Sequence, residues 1–222
     1  MEPYSQGVGR FVRGLSIDDI PQAVVAKATL VLLDTIGVAL ASSTMEFGAM
    51  VTRVAQALGG SPNSRLIGCD SKVAAANAVL ANGTLAHGLD YDDTLEEAIV
   101  HTGCCAGMTA LAVGEEVSAG GRSVLEAAVA GTEVMCKIGI VAPGKFHACG
   151  FHPTALCSTF GIIEYMADVT WTKRMHPGWA THGGVIATLL ACEGFRGPEK
   201  VFEGTHGFFQ SFGGPTEYQV SR

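Results

Sequence analysis

Apolar and polar positions alternate at helical spacing along most of the chain. In "QAVVAKATLVLLDTIGVALASS", Val24, Ala28, Val31, Leu32, Thr35 and Val38 share a face, which predicts a helix from about Pro21 to about Ala41. Ser16 and Asp19 precede it as a near capping box, with Pro21 close to the first turn. A second helix is expected over Phe47–Leu58, stopped by Gly59-Gly60. "SRLIGCD" reads as a short extended piece. Ser71 is placed to cap an Ala-rich helix through "KVAAANAVLANGTLAHG".

Beyond it, "GCCAGMTALAVGEEVSAGG" predicts an apolar helix closed by Gly120-Gly121, and "RSVLEAAVAGTEVMCKIGI" another that ends near Pro143. "HPTALCSTFG" and "HPGWATHGGVIATLLACEG" each place a proline, Pro153 or Pro177, at a first helical turn. No alternation is long enough to build a sheet, and nothing repeats. The expected fold class is all-α. Lys27 and Asp34 interrupt the most apolar helix, so it is read as a buried helix and not a membrane span.

Composition narrows this picture. The chain has 222 residues, 48% hydrophobic but only 7% aromatic, with 29 glycines. A core of small residues lets helices approach closely. The net charge of −7 comes without a Lys/Arg run, which excludes the electrostatic footprint of a nucleic-acid binder. The N-terminal residues match neither a signal peptide nor a transit peptide, and the seven cysteines include no CxxC pair. Reduced thiols filling the core, in a cytoplasmic protein, are expected.

The candidate chemistry lies in "AHGLDYDDTLEEAIVHTG". Five carboxylates (Asp90, Asp92, Asp93, Glu96, Glu97) fall between His87 and His101. The calcium-loop spacing is missing. Residue types alone leave open a solvated helix start, an acid–base site and a metal site. If a helix begins near Asp92, then Asp90 and Thr94 share a cleft rim and His101 follows, giving a proton-transfer set. His152 precedes a helix in "GFHPT". Lys173, Arg174 and His176 do so in "WTKRMHPGW", where cations suit an anionic substrate. "GIVAPGKF" nearly spells a phosphate loop but has Phe146 where Ser or Thr should hold magnesium. His147, Cys149, His152 and Cys157 match no common zinc spacing.

Several of these stretches occur together and in order: "LDTIGVALAS", "AANAVLANGTLAHGLDYDDT", "IVHTG", "GFHPTALCSTFG", "EYMADVTWTKRMHPGWATHGG" and "GFRGPEKVFEGTHGFFQSF". In this the chain resembles the MmgE/PrpD family. The resemblance implies an all-helical domain, a homodimer, and a lyase without metal or organic cofactor that acts on a small di- or tricarboxylate such as 2-methylcitrate or cis-aconitate. Epimerisation of an aminated succinate is the alternative. Asp90, Thr94, His101 and His152 become the implied catalytic residues, with Asp90 orienting a histidine, and Lys173 the implied substrate anchor. No nucleic-acid or membrane partner is implied.

The chain also departs from the family pattern. His101-Thr102 stands where the family reads His-Pro. Gly161 runs directly into Ile162, where the family carries a further helical segment. The expected organisation is therefore an incomplete helical domain over residues 1–212, with a deletion at 161/162 and no α/β lid domain, followed by a non-family tail over 213–222. A non-catalytic remnant, acting at most in oligomerisation, is the other expectation.

Overall fold

A computed structural model describes residues 2–155, 161–168, 170–214 and 218. The helices are α1 (Tyr4–Gly14), α2 (Gln22–Ser43), α3 (Glu46–Leu58), α4 (Ala75–Ala86), α5 (Met108–Glu116), α6 (Gly121–Val141), α7 (Lys145–Ala148), α8 (Tyr165–Asp168), α9 (Thr172–Cys192) and α10 (Phe208–Gly213). Two short strands, β1 (Ser64–Arg65) and β2 (Lys72–Val73), pair antiparallel, with Ser64 opposite Val73. The fold is all-α.

Helix α4 is the axis of the fold. Its sequence, AANAVLANGTLA, is apolar on every side, and all its residues but Asn77 are buried. A helix without a polar face must be enclosed, and α2, α3, α5 and α9 pack around it. Val79 and Leu85 are fully buried there, each contributing about 1.5–3 kcal/mol. The small side chains decide how close the neighbours come. A Cβ on Gly83 would lie 2.9 Å from the Gly178 Cα, so α4 and α9 cross backbone to backbone.

Buried Asn82 does not break this helix because both ends of its amide are satisfied. Its Oδ1 accepts from the Ile67 N–H at 2.9 Å and its Nδ2 donates to the Arg65 carbonyl at 2.8 Å, tying the strand pair to α4. A separate aromatic cluster (Phe146, Phe208, Phe209, Phe212) packs the end of α6 against α7 and α10. Phe146, the residue that breaks the phosphate-loop pattern, is buried in it.

Several expectations need correction. Ser71 does not cap α4, because Lys72 and Val73 are extended. Instead the Glu116 carboxylate, at the end of α5, accepts from the Ala75 N–H at 3.1 Å. Ser16 closes a turn before α2 and gives that helix no side-chain cap. Helix α9 begins at Thr172, and Pro177 lies inside it. Pro153 opens a 3-10 turn (Pro153–Ala155), and the rest of that predicted helix, with Cys157, falls largely outside the described residues. Cys104 and Cys105 are core residues, but Cys69, Cys149 and Cys192 are exposed.

The largest correction concerns α2. By length and composition it could cross a bilayer, and it was expected to be buried. Only Thr35, Ala39 and Ser42 are. Leu32 and Ile36 face the core, while Leu30 and Leu33 are 61% and 65% exposed. Ala26, Leu30, Leu33, Gly37 and Leu40 are all exposed, at alternating steps of four and three residues, and so form one outward apolar stripe.

Candidate active site

The acidic stretch is a loop and not a helix start. The chain leaves α4 at His87 and reverses through Asp90, whose φ of 60° is left-handed, a conformation tolerated by Asp. It then closes a tight turn through a Leu95–Val100 bridge. Hydrogen bonds drive this outcome. The Asp93 carboxylate accepts from the Thr102 N–H (3.2 Å), the Thr102 hydroxyl (2.7 Å) and the Gly103 N–H (2.8 Å). It therefore caps the π-helical turn Gly103–Gly107 that leads into α5. Thr102 supplies two of these donors, neither of which proline could provide.

This loop brings three imidazoles together. Ring centroids lie 4.8 Å apart for His87 and His101, 5.2 Å for His87 and His152, and 6.2 Å for His101 and His152. His176, on α9, lies 5.6 Å from His152, and Tyr165 lies 5.5 Å from His176. The Thr154 hydroxyl accepts from the His101 backbone N–H at 3.0 Å and so joins the His152 segment to the acidic loop. An antiparallel Phe151–Ile162 bridge closes the other side of that segment.

The hydrogen bonds assign tautomers. His87 Nδ1 lies 2.8 Å from Asp92 Oδ2, and His101 Nδ1 lies 3.1 Å from the Asp93 carbonyl and 3.2 Å from Thr94 Oγ1. A carboxylate and a carbonyl accept only, so both rings carry the proton on Nδ1 and leave the Nε2 lone pair free. Neither ring nitrogen of His152 or His176 has a partner within the described residues.

Burial controls the protonation of the cluster. It pushes His152 down to about 2 and His176 down to about 4, helped by neighbouring imidazoles. It also lowers His101, although Asp92 pulls that histidine back up. Burial raises the Asp92 carboxyl, but the His87 hydrogen bond and the nearby imidazoles outweigh it and hold the group below its ordinary value. His101, His152 and His176 are thus held toward the neutral form in front of the Asp92 carboxylate.

A stability prediction follows. His152 and His176 are depressed from an ordinary value of 6.5, so the unfolded chain takes up protons that the folded chain refuses. Their stabilisation is complete above about pH 6.5 and is lost as pH falls toward their folded values, by about 2 kcal/mol for each at about pH 5. Thermal melts should therefore fall steeply between neutral pH and about pH 5, and His176→Gln should flatten the slope. A flat profile in the wild type would show that these histidines are not held neutral.

Of the implied residues, Thr94, His101 and His152 meet in this cluster. Asp90 and Lys173 form an ion pair at its rim. Asp92, not Asp90, is the carboxylate that orients a histidine, and it also lies 3.6 Å from His101 Nδ1. Arg174 is committed elsewhere: its Nε donates to the Gly88 carbonyl and its guanidinium lies over Phe47. Glu96 and Glu97 are exposed. The sequence pattern assigns no role to His87 and leaves Asp92 open between helix-start acid and supporting group. The available signal was the placement of a histidine at the end of an Ala-rich helix, five residues before an aspartate. An open apolar concavity of about 440 Å³, walled by Val201, Phe208 and Phe212, includes none of these histidines.

The profile of the MmgE/PrpD N-terminal domain matches residues 6–164 and 158–221. Cis-aconitate decarboxylase from Mus musculus is 22% identical over 240 residues, covering 94% of this chain and 49% of that protein. The Homo sapiens enzyme of the same name is 24% identical, with 94% and 50% covered. The Aspergillus terreus (strain NIH 2624 / FGSC A1156) enzyme is 23% identical over 231 residues, with 88% and 47% covered. The chain spans about half the length of these curated relatives. With a profile match over most of its length, the chain belongs to the MmgE/PrpD family.

Proposed function

We propose that this chain is a lyase that moves a proton at a carbon next to a carboxylate of a small di- or tricarboxylate resembling cis-aconitate. The observation that carries the reading is the convergence of His87, His101 and His152 in front of buried Asp92. His101 is the proton carrier. Its Nδ1–H is tied down, its Nε2 lone pair is free, and Asp92 steadies the imidazolium that forms. Lys173 exchanges Asp90 for a substrate carboxylate. Neutral His152 and His176 donate N–H groups to the enolate-like charge that develops. No organic cofactor takes part in this scheme. Purified protein should turn over cis-aconitate or 2-methylcitrate, read by product chromatography. A folded sample inactive on both, and on aminated succinates, sinks the reading.

The α2 stripe supports a second reading, in which the chain associates with a second copy. Five exposed apolar positions at alternating steps of four and three suit a paired helix and are costly to leave in water. Light scattering should find a dimer for the wild type and a monomer for Leu30→Glu/Leu33→Glu. A monomeric wild type removes this reading.

A further inference from the structure

We propose that His87, His101 and His152 form a chelating site for a borderline transition-metal dication, with Zn²⁺ as the probe, and that the ion acts as an inhibitor and not as a cofactor. One ring nitrogen from each histidine lies within 4.8 Å of the others. Zinc bound by imidazoles at about 2.0–2.1 Å needs nitrogens about 3.3 Å apart, so the rings must close by about 1.5 Å. His101 is on the loop, and its side chain, 13% exposed against 0% for His87, is the one nearer the surface, so the closure falls to the loop that carries it.

Three observations distinguish this cluster from a packed group of rings. First, the supporting contacts are those of a metal site. Ligating histidines usually give their other N–H to a carboxylate or a backbone carbonyl. His87 gives its Nδ1–H to Asp92, and His101 gives its own to the Asp93 carbonyl. Second, the nitrogens left over are unsatisfied. His87 Nε2 and both nitrogens of His152 are buried without a partner, in residues only 1% and 3% exposed. Third, buried Asp92 supplies compensating negative charge 2.8 Å behind His87.

The neighbouring set of His87, Asp92 and Cys104 is a poorer site. Burial holds the Cys104 thiol well above its ordinary value, and a thiol must lose its proton to bind metal. An imidazole binds through a ring-nitrogen lone pair and, in its neutral form, needs lose no proton. Three ligands leave the fourth position to water or to a carboxylate. A metal on His101 Nε2 occupies the lone pair that would carry the proton, so the ion and the proposed reaction exclude each other.

The test is titration of the whole chain with ZnCl₂ or MgCl₂, read by calorimetry and thermal melting. The expected result is one Zn²⁺ per chain with a raised melting temperature, and no response to Mg²⁺. His152→Ala should abolish the shift, and Asp92→Asn, which keeps the shape of the site, should weaken binding about 10–100-fold. Replacing exposed Cys69, Cys149 and Cys192 together by Ser should change nothing. Absence of Zn²⁺ binding overturns the proposal. So does binding that is unchanged in His152→Ala or that disappears in the cysteine variant. These readouts need no turnover. An active enzyme that ignores Zn²⁺ defeats this inference alone, and an inactive chain that binds it defeats only the proposed reaction.

Discussion

Replacing His101 with asparagine should lower kcat on the proposed carboxylate substrate by about a thousand-fold and leave the melting temperature nearly unchanged. The asparagine amide can still donate to the Asp93 carbonyl, the bond made by His101 Nδ1, so the loop keeps its anchor. What disappears is the Nε2 lone pair. In the proposed reaction His101 is the better proton carrier than His152 because of their surroundings. Each unit of pKa is worth about 1.4 kcal/mol of proton-transfer driving force. Burial among other imidazoles takes His152 down to about 2, which makes it a weak base and a good neutral donor. His101 is also lowered by burial, but Asp92 at 3.6 Å partly restores it. The measurement is steady-state turnover of the wild type and the variant, with melts recorded on the same samples. Unchanged kcat in His101→Asn would remove this residue from the chemistry.

The largest structural effect should come from Gly178→Ala. A Cβ there would lie 2.2 Å from the Leu80 carbonyl oxygen and 2.5 Å from Thr84 Oγ1. Both residues belong to α4, which is enclosed by its neighbours, and a carbonyl in that helix cannot turn aside. Helix α9 must lift away from α4, and overpacking of this kind costs about 3 kcal/mol. The melting temperature should drop by about 6–12 °C. A Cβ on Gly183, five residues later on the same helix, would meet nothing within 4 Å. Gly183→Ala should be neutral or stabilising by about 1 kcal/mol, because alanine is the better helix former. Calorimetry of the two variants side by side separates crossing geometry from helix propensity. Equal melting temperatures would show that α4 and α9 are not in close contact.

Much of the fold could be read from local signals. Gly59-Gly60 stops α3 where expected, and the ends of α2 and α6 lie near the positions that proline and glycine mark. Two of the misreadings share a cause, which is that a more distant partner replaced a local one. Ser71 looked like a cap, but Glu116, 41 residues from Ala75, does the work. The acids after Asp90 looked like a helix start. Asp93 instead serves the start of the following helix, and its loop stays irregular. The division of labour between Asp90 and Asp92 depends on the chain reversal at Asp90, which no spacing rule describes. His152 and Lys173 stand out locally as polar groups before helix starts, but only the family resemblance groups them with His101, because nothing nearby in sequence places them beside it.

Asp93 also has a mechanical consequence. Its carboxylate grips Thr102 and Gly103 while its carbonyl holds the His101 ring. The acidic loop, the imidazole and the start of the helical segment beyond it are thereby clamped into one stiff lever. In the proposed reaction, a substrate carboxylate that takes Lys173 from Asp90 acts on the same loop, so opening the rim and aiming His101 would be a single movement.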